Sequence, residues 1–96
     1  MPWSGRARER ERTARNTASR RARWLSRKGW RRSSAGNPWI RTPDGYRVVV
    51  FPCDGGWSGI VEHRGQQIVA RRLYESEDRA KLAAFDAILA LERRLD

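Results

Sequence analysis

Arginines interleaved with tryptophans are the residues of this sequence best suited to chemistry, and they concentrate near its N-terminus. Residues 1–36 contain twelve basic residues, eleven of them arginine, against two acidic residues, Glu9 and Glu11. A planar guanidinium can bind a phosphate through two hydrogen bonds or stack on a base. An indole stacks on an unpaired base with a gain of roughly 1–3 kcal/mol. This combination favours nucleic acid as the binding partner.

The candidate nucleic-acid-binding residues extend from this basic segment into the rest of the chain. In the basic segment they are Arg12, Arg15, Arg20, Arg21, Arg23, Trp24, Arg27, Lys28, Trp30, Arg31 and Arg32. Further along they are Arg47, Trp57, Arg71 and Arg72. Trp39 adjoins the second part of the chain, and we expect it to pack there because aromatic side chains are usually buried. Trp24 lies well inside the basic segment, and we expect it to stay accessible to a ligand.

Charge and hydrophobicity divide the chain in two. Residues 37–96 contain nine residues of each sign, so the net charge of +10 arises in residues 1–36. Before position 40 the only Leu, Ile, Val or Phe is Leu25, and we do not expect that segment to fold by burial alone. The sequence therefore predicts a basic arm over residues 1–36 and a small globular domain over residues 37–96.

The arm has the pattern of a helix that needs a ligand. No proline or glycine interrupts residues 6–28, and small apolar groups follow one side of a helix at Ala14, Ala18, Ala22 and Leu25. Arginines on the other faces repel one another, so we expect folding on binding. The segment resembles the arginine-rich RNA-binding peptides of phage antitermination proteins over the stretch that begins Thr13-Ala14-Arg15-Asn16 and ends Arg23-Trp24.

The second part predicts an α+β fold, with three or four antiparallel strands packed on a C-terminal helix. β-Branched and aromatic runs separated by turn residues predict strands over 39–42, 46–51, 57–63 and 66–73. Ser76 is placed to cap a helix whose apolar residues repeat every three or four positions. Alternation puts Val48 and Val50 on one side of the strand and Val49 and Phe51 on the other, and either side could lie under the helix.

Two nucleic-acid-binding families share parts of this layout. Ser76, Ala80-Lys81, Ala83-Ala84 and Leu89 resemble the second helix of a double-stranded-RNA-binding domain. Glu77 and Asp78 occupy the places of that family's phosphate-binding lysine pair, which leaves Lys81. This resemblance implies duplex RNA as the ligand.

The other resemblance is to the DNA-binding domains of plant ethylene-response factors and the arm-binding domains of phage integrases, whose sheet enters the major groove. It rests on Tyr46-Arg47-Val48, Trp57, Gly65 and Ala84-Phe85-Asp86-Ala87. Val49 and Phe51 stand where that family has arginines. The residues that this resemblance implies at the interface are Arg47, Trp57, Arg64, Arg71 and Arg72.

The remaining chemically capable residues do not form a catalytic pattern. His63 is the only histidine and Cys53 the only cysteine, so a zinc site or a disulfide is not expected. Glu75, Glu77 and Asp78 could hold Mg²⁺, but a helix N-terminus explains them better. We predict no enzymatic activity, no metal and no cofactor.

Two functional hypotheses follow. In the preferred one, the arm binds phosphates of DNA or structured RNA with little base specificity. In the alternative, the globular domain docks on a protein, as in a phage-type inhibitor or a ribonucleoprotein component, and the arm occupies a nucleic-acid channel. No apolar run approaches the roughly 20 residues that span a bilayer, so we expect a cytoplasmic protein without a membrane partner.

Overall fold

The computed structural model describes residues 4–69 and 72–95, with side chains described for 15–69 and 72–93. Two helices and one five-stranded antiparallel sheet make up the fold, which confirms the predicted α+β class. The elements in chain order are α1 (Ser4–Leu25), β1 (Arg31–Arg32), β2 (Pro38–Arg41), β3 (Tyr46–Cys53), β4 (Gly56–His63), β5 (Gln66–Val69) and α2 (Glu77–Leu95). The strands lie in the sheet in the order in which they occur in the chain.

Tight turns fix the register of the three central strands. Cys53 pairs with Gly56 and His63 with Gln66, so each hairpin loop has two residues, Asp54-Gly55 and Arg64-Gly65. All four loop residues have positive φ, between 46° and 83°. Type I′ turns of this kind match the twist of the flanking strands. Because the first turn needs only two residues, β3 continues to Cys53, beyond its predicted end at residue 51.

One side of the sheet packs under α2, and the register identifies which side it is. Tyr46, Val48 and Val50 of β3 are buried on this covered face, whereas Val49 lies on the other side and is half-buried. From α2 the buried side chains are Ala80, Ala84, Phe85 and Ile88. The structure therefore resolves the alternative that the sequence left open.

The core also includes part of the predicted arm. Trp24 is only 3% exposed and belongs to the same buried cluster as Ile40. Gly29 lies so close to Ile40 that a Cβ there would be 3.2 Å from its side chain. β1 adds a fifth strand by pairing with β2, Arg31 with Trp39 and Arg32 with Pro38. The predicted boundary between arm and domain, after residue 36, thus lies between two paired strands of the sheet, β1 and β2. The count of Leu, Ile, Val and Phe did not include Trp24 and Trp30, which contribute the buried apolar surface of this segment.

The last strand and the second helix follow the predicted pattern with one change. β5 ends at Val69, whereas a strand was predicted to residue 73, and Ala70 and Arg71 lie outside the described residues. Tyr74 resumes the pairing with two backbone hydrogen bonds to Trp57, of 2.8 and 2.9 Å. Ser76 caps α2, since its Oγ accepts the backbone N–H of Arg79 at 3.2 Å. Within the described ranges, neither helix has the length and apolar character needed to cross a membrane.

Candidate nucleic-acid interface

Two consecutive arginines hold the end of α1 against α2. Arg21 Nη1 donates to both carboxylate oxygens of Asp86, at 2.5 and 2.6 Å. The guanidinium of Arg20 lies 5.7 Å from the centre of the Phe85 ring. Successive helix positions diverge by about 100°, so the two side chains pass on either side of Trp24. Both residues were predicted to bind nucleic acid, and the structure commits Arg21 to an ion pair.

The neighbouring cations are uncommitted. Arg15, Arg23, Arg27 and Lys28 are exposed, and none has an ion pair or hydrogen bond with the described side chains of 15–69 and 72–93. Arg20, Arg23 and Arg27 line a concavity of about 360 Å³ whose floor is formed by Trp24 and Phe85. Arg20 and Arg23 are three residues apart on α1 and share one side of it, and Arg27 follows the helix end and lines the same concavity. Three guanidiniums around one hollow are suited to an anion such as phosphate.

Trp24 and Trp30 do not present free stacking surfaces. Trp24 Nε1 donates to the Lys81 carbonyl at 2.7 Å, and its ring stacks on Phe85 with centroids 5.3 Å apart. Trp30 Nε1 donates to the Trp24 carbonyl at 2.8 Å, and the Lys81 ammonium lies 4.7 Å from the centre of its ring. The expectation that Trp24 would be accessible is therefore wrong. Both indoles fix the end of α1 to the domain.

Arg31 and Arg32 diverge because consecutive strand residues point to opposite sides of a sheet. Arg32 Nη1 lies 3.0 Å from Glu77 Oε1 and donates to the Gly36 carbonyl at 2.8 Å. Arg31 points to the side that α2 leaves uncovered, where it is exposed. Arg31 is therefore available to an anionic ligand, whereas Arg32 ties β1 to the start of α2.

The uncovered face of the sheet combines apolar and basic residues. One register row runs straight across all five strands and consists of Arg31, Trp39, Val49, Ile60 and Val69. The adjacent row consists of Arg41, Arg47, Glu62 and Gln67. Trp39, which we expected to pack on the domain, lies on this face and does not belong to the core cluster.

The other candidate residues are dispersed. Arg47 is on the uncovered face, 3.9 Å from Glu62. Trp57 packs against the core, and Arg72 lies 5.0 Å from the ring centre of Tyr74. Arg71 is outside the described residues, and Arg12 lies in α1 with its side chain outside the described part.

The single histidine and the single cysteine contact neighbouring residues of the sheet and its turns. His63 stacks on Tyr46 with ring centroids 4.1 Å apart, and Cys53 Sγ lies 3.8 Å from Asp54 Oδ2 at a turn. No group of three His, Cys, Asp or Glu side chains within the described residues is arranged to hold a metal ion. Burial raises the pKa of Tyr46, the carboxylates of Glu92 and Asp44 raise it further, and Arg64 acts in the opposite direction.

No protein-family model, curated protein or solved structure matches this chain. The two sheet-and-helix families named above therefore stay resemblances. Charge and geometry are what indicate a function for this protein.

Trp39 and Arg41 are residues of the uncovered face that the sequence-based candidates did not include. Both belong to β2, where residues 39 and 41 share one side and Ile40 points to the other. The alternation Trp-Ile-Arg contained this signal. The sequence alone does not tell which side of the sheet α2 covers, so this alternation could not assign Trp39 and Arg41 to the uncovered face.

Proposed function

We propose that this protein binds nucleic acid through the phosphates, using the exposed cations at the end of α1. The observation that carries the proposal is the concavity lined by Arg20, Arg23 and Arg27, none of which lies within 4.0 Å of a described carboxylate. A cluster of like charges is costly to keep together unless an anion binds there. A cytoplasmic location belongs to the same proposal.

Such binding is mainly electrostatic. Six cations of the described part have no carboxylate partner there and lie in the second half of α1 or shortly after it: Arg15, Arg20, Arg23, Arg27, Lys28 and Arg31. If these neutralise about six phosphates of duplex DNA, the logarithm of the affinity falls with the logarithm of salt concentration at a slope of roughly −5. Phosphate contacts position a protein without reading sequence, so base specificity is weak.

The test is fluorescence anisotropy of the full chain with duplex DNA and hairpin RNA of random sequence across a salt series. The variant R15Q/R23Q/R27Q removes three uncommitted charges, and its slope should be less steep by about three units. R64Q/R79Q/R93Q is the matched control, because it removes the same charge from exposed positions outside the α1 segment. Equal losses in the two triple variants would reduce the effect to net charge and contradict a defined interface.

A second candidate function has one observation in its favour. Ile68, Val69 and Leu73 are 41%, 53% and 45% exposed, and β5 is an edge strand of the sheet. Exposed apolar side chains beside unpaired strand groups are typical of a protein-docking surface. This is the arrangement expected of an inhibitor or ribonucleoprotein component whose domain docks on a protein while its arm occupies a nucleic-acid channel.

The two functions can be separated with the full chain in a nuclease-treated lysate. Docking predicts one reproducible protein partner that is lost in I68S/L73S. The control Q66S/Q67S changes polar residues of the same strand and should keep the partner. If no protein is retained once nucleic acid has been digested, the docking function is excluded.

A further inference from the structure

Among the four tryptophans that the structure describes, Trp39 is the one outside the core. It is half-buried on the uncovered face, where its strand neighbours are Arg31 of β1 and Val49 of β3. Trp24, Trp30 and Trp57 all belong to the core or pack against it, and Trp39 does not. Trp39 also has no stacked or edge-on aromatic partner within the described residues. Trp57 also lacks an aromatic partner there, so the feature that sets Trp39 apart from the other three is its position outside the core cluster.

The indole N–H of Trp39 points to the same conclusion. Trp24 and Trp30 donate their Nε1–H groups to backbone carbonyls at 2.7 and 2.8 Å. Nε1 of Trp39 has no acceptor within the described residues. Buried tryptophans usually find such a partner, although Trp57 beside the core has none among the described residues either. What distinguishes Trp39 is that its N–H group lies on the uncovered face, where a ligand has access to it.

Two arginines without an ion pair among the described residues are neighbours of Trp39 in the sheet. Arg31 is the register partner of Trp39 across β1 and β2, and Arg41 is two residues further along the same side of β2. Both are exposed, and neither lies within 4.0 Å of a described carboxylate. Arg47, on the same face, is the contrast, since it lies 3.9 Å from Glu62. Arg31, Trp39 and Arg41 line a concavity of about 550 Å³ together with Gly29, Thr42 and Pro43.

From this arrangement we propose that the uncovered sheet face carries a subsite for an unpaired nucleotide, with the base stacked on Trp39 and the adjoining phosphates bound by Arg31 and Arg41. The proposal rests on nucleic-acid binding as the function and adds the form of the ligand. A base inside a duplex already stacks on both neighbours, so only a single strand or an unpaired residue offers its face without unstacking. Stacking on an indole tolerates every base and either sugar, so single-stranded DNA and RNA both fit.

Base stacking distinguishes the Trp39 subsite from the concavity lined by Arg20, Arg23 and Arg27. The hollow binds phosphate alone and accepts duplexes and single strands alike. The Trp39 subsite adds affinity only where a base is free to stack. Removal of the Trp39 ring is therefore expected to weaken binding to a single strand and to leave binding to a duplex nearly unchanged at the same salt concentration.

The experiment is anisotropy of the full chain with four fluorescein-labelled ligands of equal length: single-stranded DNA, single-stranded RNA, duplex DNA and an abasic single strand. W39L should weaken binding to both single strands roughly 5- to 150-fold, the range expected for one stacked base. Its affinity for the duplex and for the abasic strand should be nearly unchanged. W39F should keep most of the single-strand affinity, because a phenyl ring still stacks.

Arginine variants test the other half of the subsite. R31Q/R41Q should weaken single-strand binding more than R79Q/R93Q, which removes the same charge from two exposed positions of α2, away from the uncovered face. Thermal unfolding of each variant identifies misfolding, and the W39F and R31Q/R41Q arms do not depend on W39L folding normally.

The outcomes distinguish the subsite from the function on which it rests. Unchanged single-strand binding by W39L, or an equal loss on the abasic strand, would overturn the subsite. The nucleic-acid function would survive that result if R15Q/R23Q/R27Q still weakened binding. If no ligand bound with salt dependence, the function itself would fail.

Discussion

The two faces of the sheet are built from the same strands and differ in burial and in their neighbours. On the covered face, Ile40, Val48 and Val50 are fully buried under α2 and the end of α1. On the uncovered face, their immediate neighbours Trp39 and Val49 are half-buried and lie beside arginines. Strand alternation places these two environments one residue apart. Side-chain type alone therefore does not separate core from surface in this protein.

The tryptophans make the comparison clearest. Trp24 comes from a segment with the composition of a solvated polycation, and it is in the core. Trp39 comes from a strand of the globular domain, and it lies on the open side. Burial is decided by what covers each position rather than by the composition of the surrounding sequence.

The largest effect that would test this contrast is the removal of Trp24. W24A should lower the free energy of unfolding by about 3–5 kcal/mol, because it leaves a cavity against Phe85 and removes the hydrogen bond from the indole to the Lys81 carbonyl. W39L should lower it by much less. Urea denaturation of both variants is the measurement, and equal destabilisation would show that the two tryptophans do not differ in role.

A smaller contrast is expected between two adjacent strands of the same sheet. I40A deletes a side chain with 0% exposure and should lower the free energy of unfolding by about 2–5 kcal/mol. V49A deletes a half-buried side chain of the uncovered face and should cost about 1 kcal/mol or less. Chemical denaturation midpoints with equal m-values would measure the difference. A cost at Val49 that matches the cost at Ile40 would indicate that something covers the open face.

Much of the fold could be predicted because local signals agreed with one another. The turn residues at 54–55 and 64–65, the β-branched runs and the capping residue Ser76 all specified their elements without long-range information. Strand β1 was not predictable in this way, since Arg31-Arg32 has no strand pattern of its own. It forms because Trp24 and Trp30 hold the preceding segment against α2 and Ile40, a contact between residues far apart in sequence.

The candidate site was predictable in its residue types and not in its geometry. Arg23, Arg27 and Lys28 are exposed, as expected of residues in a basic segment. Arg21 and Arg32 look the same in sequence, but Asp86 and Glu77 neutralise them from α2. Which arginines meet a carboxylate depends on how two helices and a short strand pack, and no periodicity within the basic segment contains that information.

The smallest expected effect concerns Tyr46, on the covered face, at high pH. Burial favours the neutral phenol and raises its pKa in the folded state above the ordinary value of 10.0, helped by the carboxylates of Glu92 and Asp44 and opposed by Arg64. The unfolded chain then binds fewer protons than the folded chain in the range between the two pKa values. The Tyr46 contribution is therefore fully present below pH 10, the unfolded value, and is lost as the pH rises through the folded-state value.

Unfolding of wild type and Y46F at pH 8 and at pH 10.5 measures this contribution. Y46F should lose less stability than wild type between the two pH values, because phenylalanine has no proton to release. Y74F is the matched variant, since it removes the hydroxyl of the other tyrosine, which lies between β5 and α2. If Y46F and wild type lose the same free energy of unfolding between pH 8 and pH 10.5, ionisation of Tyr46 does not contribute to the loss of stability at high pH.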